Sequence, residues 1–97
     1  MDTIKIAGND NKCVISGEDF SYTFENGHPV TMIRNGKKVE PLAYPTHNGK
    51  VMKSKARIVH KYWNSVLVIT RYRYGFETIE IKYHILPTGE IKQEHVY

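Results

Sequence analysis

Between Ile79 and Ile85 apolar and polar positions alternate, with Ile79, Ile81, Tyr83 and Ile85 set against Glu80, Lys82 and His84. This period of two is that of a strand with one buried and one wet face. Leu86-Pro87-Thr88-Gly89-Glu90 then supplies a turn. Proline sets φ at its second position, and glycine takes the left-handed conformation that a three-residue hairpin loop requires. Closing the hairpin with Leu86 opposite Glu90 pairs Ile85 with Ile91, Tyr83 with Gln93, Lys82 with Glu94 and Ile81 with His95. One face collects Ile79, Ile81, Tyr83, Ile85, Ile91, His95 and Tyr97, and the other carries the Lys82/Glu94 pair. A slip of one residue would bury Lys82, which fixes the register.

The same period recurs earlier in the chain. Ile4 and Ile6 alternate with Thr3, Lys5 and Ala7. Cys13 and Ile15 follow a Gly8-Asn9-Asp10-Asn11 turn. Phe20, Tyr22 and Phe24 follow a Ser16-Gly17-Glu18 turn, with Asp19, Ser21, Thr23 and Glu25 facing away. Asn26-Gly27, Asn35-Gly36 and Asn48-Gly49 suit the two positive φ values of a type I′ turn. Pro29 cannot donate to a ladder and belongs at a strand start or an edge. The pattern fades from Lys37 to Gly49, where Pro41 and Pro45 leave only Val39 to Tyr44 as a candidate strand. It returns from Lys55 to Trp63, with Ala56, Ile58, His60 and Tyr62 on one side.

Two registers compete for Val66 to Tyr74. A two-residue Tyr74-Gly75 loop aligns Val66, Val68 and Thr70 with the Ile79 face and keeps Arg71 and Arg73 off it. A three-residue Tyr74-Gly75-Phe76 loop aligns Leu67 and Ile69 instead. The cost of burying charge favours the first.

No segment holds a 3.6-residue period, and turn signals recur about every 8 to 12 residues, the spacing of an all-β sandwich or barrel. The predicted fold is all-β: a small antiparallel up-and-down barrel or a strongly curled meander of about eight or nine short strands, closure being the simplest way to remove two sheet edges. At 97 residues the chain suits one domain spanning 1–97. Such a domain buries about 60 to 65% of its unfolded surface, so its stability is modest.

The succession DFSYTFENGHPV, KARIVHKYWNSVLVITRYRYG and FETIEIKYHILPTGEIKQEHVY resembles the bacterial lipocalin-like β-barrel proteins. The matching positions are Tyr22-Thr23-Phe24, Gly27, Pro29-Val30, Trp63, Leu67 to Thr70 and Pro87 to Gly89, over about two-thirds of the chain. The resemblance implies a noncatalytic barrel holding an apolar ligand and transfers no catalytic residue. The chain departs from that family in being short, in lacking an export signal, and in reading Lys-Tyr-Trp-Asn-Ser where an acidic-glycine turn is usual.

Charge changes the picture more than composition does. Residues 1–33 carry two basic and five acidic groups, residues 34–73 ten basic and one acidic, and residues 74–97 two basic and four acidic. In the middle block Arg34, Lys37, Lys38, Lys50, Lys53, Lys55, Arg57, Lys61, Arg71 and Arg73 are interleaved with Tyr44, Tyr62, Trp63, Tyr72 and Tyr74. Nucleic acid or another polyanion would find both charge and stacking surfaces there. Basic strand faces also serve as solubility and edge-blocking devices.

Candidate chemistry is thin. The single cysteine, Cys13, excludes an internal disulfide framework and any CxxC pair, and its strand context reads as a small buried hydrophobe. The five histidines form no HxH or HxxxH pair, His84 and His95 fall on opposite faces of the C-terminal hairpin, and no metal or cofactor is expected. No serine lies in a nucleophile elbow. No apolar run approaches the length of a membrane-spanning helix, so the chain as written reads as soluble and cytoplasmic, or extracytoplasmic if an export segment has been removed.

The expected function is therefore a noncatalytic binding module. Lys53, Lys55, Arg57, Lys61, Trp63, Arg71, Tyr72 and Arg73 would hold nucleic acid or an acidic protein surface. The alternatives are a lipocalin-like carrier of a small apolar ligand, with an interior of Phe20, Tyr22, Phe24, Ile58, Ile81 and Tyr83, and a structural domain without ligand. Strands this short, closed into a small barrel, would be filled by their own side chains.

Overall fold

A five-stranded antiparallel sheet runs in chain order from β1 (Lys5–Gly8) through β2 (Lys12–Ser16), β3 (Phe20–Glu25) and β4 (His28–Arg34) to β5 (Lys37–Val39). A short hairpin follows, β6 (Thr46–His47) with β7 (Lys50–Val51). A four-stranded antiparallel sheet completes the chain from β8 (Lys53–Lys61), β9 (Val66–Tyr74), β10 (Glu77–Ile85) and β11 (Ile91–Val96). The structure, a computed structural model, describes residues 3–96; Tyr97, placed by the sequence on the hairpin's apolar face, lies outside them, as do Met1 and Asp2. The described residues contain no helix, and none of their elements is a helix long and apolar enough to cross a membrane.

The fold is all-β, as the period of two requires, but it is a curled meander and not a closed barrel. Closure fails at residues 40–45. The expected strand there, Val39 to Tyr44, is reduced to the single residue Val39 at the end of β5. Pro41 and Pro45 have no N–H to continue a ladder, so β5 and β8 remain sheet edges. The strands number eleven among the described residues, the expected eight or nine being exceeded by three pieces of two or three residues.

Turn chemistry is followed closely. All three Asn-Gly dipeptides carry two positive φ values, Asn26 and Gly27 at 50° and 80°, Asn35 and Gly36 at 52° and 76°, and Asn48 and Gly49 at 50° and 77°. The C-terminal hairpin has the register its sequence demands, with Ile85 against Ile91, Tyr83 against Gln93 and Lys82 against Glu94. Leu86 N–H donates to the Glu90 carbonyl at 2.9 Å, and Gly89 N–H to the Leu86 carbonyl at 2.9 Å. In β9 the face holding Val66, Val68 and Thr70 is the buried one. The loop is Gly75-Phe76, one residue later than expected, so Ile79 lies opposite Tyr72 and Ile81 opposite Thr70. Pro29 is the second residue of β4, beside a bulge where its missing donor is tolerated.

Both sheets turn one face to a single core. Ile6, Ile15, Tyr22 and Met32 form one row across the first sheet. Phe24 meets Tyr83 of the second sheet edge-on, with ring centroids 6.0 Å apart. Ile15, Tyr22, Val66, Val68, Tyr72 and Ile85 are sealed from solvent, each such apolar side chain contributing about 1.5 to 3 kcal/mol. Cys13 is buried in this core, and burial pushes its thiol pKa up, away from nucleophilic character.

Polar ties join the sheets. The Tyr22 hydroxyl donates to the Gly89 carbonyl at 2.6 Å while accepting from Arg34 Nε at 2.6 Å. A longer chain runs through His28, whose Nε2–H donates to the Leu42 carbonyl at 2.8 Å, an oxygen that can only accept. Its Nδ1 is then the acceptor for the Tyr72 hydroxyl at 2.7 Å, and Tyr72 Oη in turn accepts from Tyr83. The Tyr44 ring stacks on the imidazole at 3.6 Å. One directed chain thus links β10, β9, β4 and residues 40–45.

Candidate functional site

The basic end of the four-stranded sheet is built by strand pairing. Nearest the β9–β10 turn, Lys53 lies opposite Arg73, and Arg73 opposite Thr78. Two residues further on, Lys55 lies opposite Arg71, and Arg71 opposite Glu80. These side chains occupy the outer face, because the alternate positions Tyr72 and Thr70 fill the core. All four basic residues are exposed. Like charges directly opposite each other destabilise a sheet, and here two consecutive β8–β9 pairs are Lys–Arg. Glu80 is the only carboxylate in these two rows, and it already faces Arg57, with Nη1 3.2 Å from Oε1.

Arg57 belongs to a bulge between Ala56 and Ile58 that changes the character of the face. Beyond it the rows become Ile58, Ile69, Lys82 and Glu94, then His60, Leu67, His84 and Lys92. The bulge also overturns one expectation. The extra residue shifts the alternation by one, so Val59 turns inward and Ile58 is 49% exposed on the outer face. Ile58 is not an interior residue.

The remaining expected site residues separate. Lys61 pairs with Val66 at the opposite end of the sheet, and Trp63, 95% exposed, projects from the β8–β9 turn there. Seven steps of β9, from Arg73 to Val66, set that end about 24 Å from the Lys53/Arg73 row. Tyr72 is fully buried and cannot stack on a partner. Burial raises its pKa, so it remains a protonated donor to His28. The basic block of the sequence is likewise divided, since Arg34, Lys37 and Lys38 belong to the five-stranded sheet. Of the eight residues expected to hold a partner, Lys53, Lys55, Arg57, Arg71 and Arg73 come together.

Residues outside those eight complete this end. Phe76 is 99% exposed in the β9–β10 turn, and Tyr74 and Val51 are also exposed. A cleft of about 440 Å³ is lined by Val51, Lys53, Arg73, Tyr74 and Gly75. Arg73 Nε–H donates to the Gly75 carbonyl at 2.7 Å, which holds the guanidinium against the turn. Phe76 has a legible signal in retrospect: an aromatic side chain inside a two-residue turn belongs to neither strand's buried face. A second cleft of about 370 Å³, lined by Thr3, Lys5, Ser16, Gly17 and Glu18, offers one base beside one acid and no aromatic surface.

The interior set reads differently from a ligand cavity. Phe20, Tyr22, Phe24, Ile81 and Tyr83 are all buried in the shared core, with the Phe20 and Tyr22 rings 4.8 Å apart. None of them lines either cleft described above. Comparison of the chain with protein-family models, curated proteins and solved structures gives no match.

Proposed function

We propose that the protein is a noncatalytic binding module that holds a polyanionic partner on the basic end of the outer face. The observation that carries this reading is the pair of adjacent cross-strand contacts Lys53–Arg73 and Lys55–Arg71. Each places like charges opposite one another, an arrangement that costs the fold stability and that an anion would relieve. Arg57 extends the field, although Glu80 partly neutralises it. Acidic protein surfaces are a weaker match, because carboxylates on a protein rarely line up in consecutive rows.

The apolar-carrier reading gains less support, since its interior residues pack on one another and Ile58 faces out. The test is binding to heparin across a salt series. Four contacts to a single-stranded polyanion correspond to a log-log slope near −3, taking about 0.7 per contact. Absence of binding at low salt, alongside saturable uptake of a fluorescent fatty acid, would reverse the assignment.

A further inference from the structure

The basic rows end at an aromatic feature that charge alone does not account for. Phe76 is almost fully in water at the tip of the β9–β10 turn. Tyr74, two residues earlier in β9, has the parity of Tyr72 and leans on the His47 ring at 6.2 Å, on the other side of the sheet from Arg73. The adjacent cleft joins the apolar surfaces of Val51 and Tyr74 to the cationic Lys53 and Arg73. A phenyl ring left in water adds nothing to the stability of the sheet.

We infer that this end binds single-stranded nucleic acid, with a base stacked on Phe76 and successive phosphates on Lys53/Arg73 and then Lys55/Arg71. The inference rests on the polyanion reading above and names its partner. Three observations support it. The two basic rows are spaced about 7 Å along the strands, two residues of β rise, a separation comparable with that of neighbouring phosphates on an extended strand. They form a line receding from the aromatic tip, whereas a lipid bilayer would be met best by a collar of charge at one depth around it. Finally, the bond from Arg73 Nε to the Gly75 carbonyl fixes the guanidinium beside the turn and leaves its terminal nitrogens for a phosphate. Every base has a π-face, so such a site is tolerant of sequence.

The experiment compares four probes on the same protein: a labelled oligothymidine, an abasic chain of equal length, heparin, and vesicles of phosphatidylserine with phosphatidylcholine. The abasic chain is expected to bind about 5- to 150-fold more weakly than the oligothymidine, the range for one stacked base. Phe76→Ala should lose a similar factor on the oligothymidine and nothing on heparin, and Phe76→Trp should restore it. Because Phe76 packs against nothing, neither variant threatens folding. Equal affinity for the two oligonucleotide chains, with heparin still bound, would overturn the base site and leave the polyanion reading standing. Failure to bind heparin and both chains would remove both. Vesicle binding that depends on Phe76, without a Phe76 effect on the oligothymidine, would reassign the tip to a bilayer surface.

Discussion

Gly27 and Thr70 are pressed together where the β3–β4 turn meets the second sheet. Thr70 Oγ1 donates to the Gly27 carbonyl at 2.7 Å, and a β-carbon on Gly27 would lie 2.4 Å from that oxygen. Gly36 has nearly the same backbone, at φ 76° against 80°, but open space around it. The two positions therefore separate backbone strain from packing. Gly36→Ala should cost about 1 to 2 kcal/mol, the left-handed penalty alone. Gly27→Ala should add overpacking of roughly 1 to 3 kcal/mol. Urea midpoints of the two variants measure the difference, and equal losses would show that the sheets slide to make room.

His28 predicts a dependence on pH. Burial holds its imidazole below the ordinary value of 6.5, outweighing the Leu42 bond that favours the charged form. The unfolded chain therefore takes up a proton as pH falls through about 6.5 while the folded chain does not, so stability is full above that pH and declines below it. The decline should approach about 1.4 kcal/mol per pH unit until the folded imidazole itself titrates. His28→Asn should be less stable at neutral pH yet show a shallower slope between about pH 6.5 and 5.5, above most carboxylate titration. An unchanged slope would place the titrating group elsewhere.

The tyrosine chain predicts an order of losses. Tyr83→Phe removes only the first donor and should cost about 1 kcal/mol. Tyr72→Phe leaves both His28 Nδ1 and the Tyr83 hydroxyl without their partner, and two such buried groups cost roughly 2 to 6 kcal/mol together. Tyr83→Ala also empties core volume and should cost roughly 3 to 5 kcal/mol. Thermal or urea unfolding of the three variants tests the ranking; Tyr72→Phe falling below Tyr83→Phe would reverse the direction assigned to the chain.

The sequence reports these features unevenly, for physical reasons. Ile81, Tyr83 and Ile85 announce their face because alternation and turn act together, and the slip that would bury Lys82 is costly. The Asn-Gly turns are equally legible, since few residue pairs accept two positive φ values. Ile58 and Arg57 are not, because a bulge shifts the period without leaving a composition signal. Tyr72 misleads although the register that turns Val68 and Thr70 inward already gives it the buried parity. A tyrosine between Arg71 and Arg73 looks like a stacking surface, but strand parity sends it inward, where its hydroxyl finds His28, 44 residues away. Contacts of that range have no local pattern to betray them, whereas the distance of Lys61 and Trp63 from Lys53 follows from their places at and just beyond the end of one strand.

The basic rows predict a trade between stability and binding. Lys55→Glu would replace a like-charge pair with an ion pair across the β8–β9 ladder, opposite Arg71. Such exposed pairs contribute a few tenths to about 1 kcal/mol, so the variant should be slightly more stable than the parent at low salt. The gain should vanish near 1 M salt, where the Debye length falls to about 3 Å. Binding should move the other way, because the substitution removes one contact to the polyanion and sets a carboxylate in its path. Its log-log salt slope should flatten by about 0.7 or more. Arg71→Ala should flatten the slope by a similar amount without the carboxylate's repulsion. Unfolding midpoints and heparin titrations on the same preparations read both effects. If Lys55→Glu gains stability and keeps the parental affinity, the basic rows serve solubility and edge protection, not a partner.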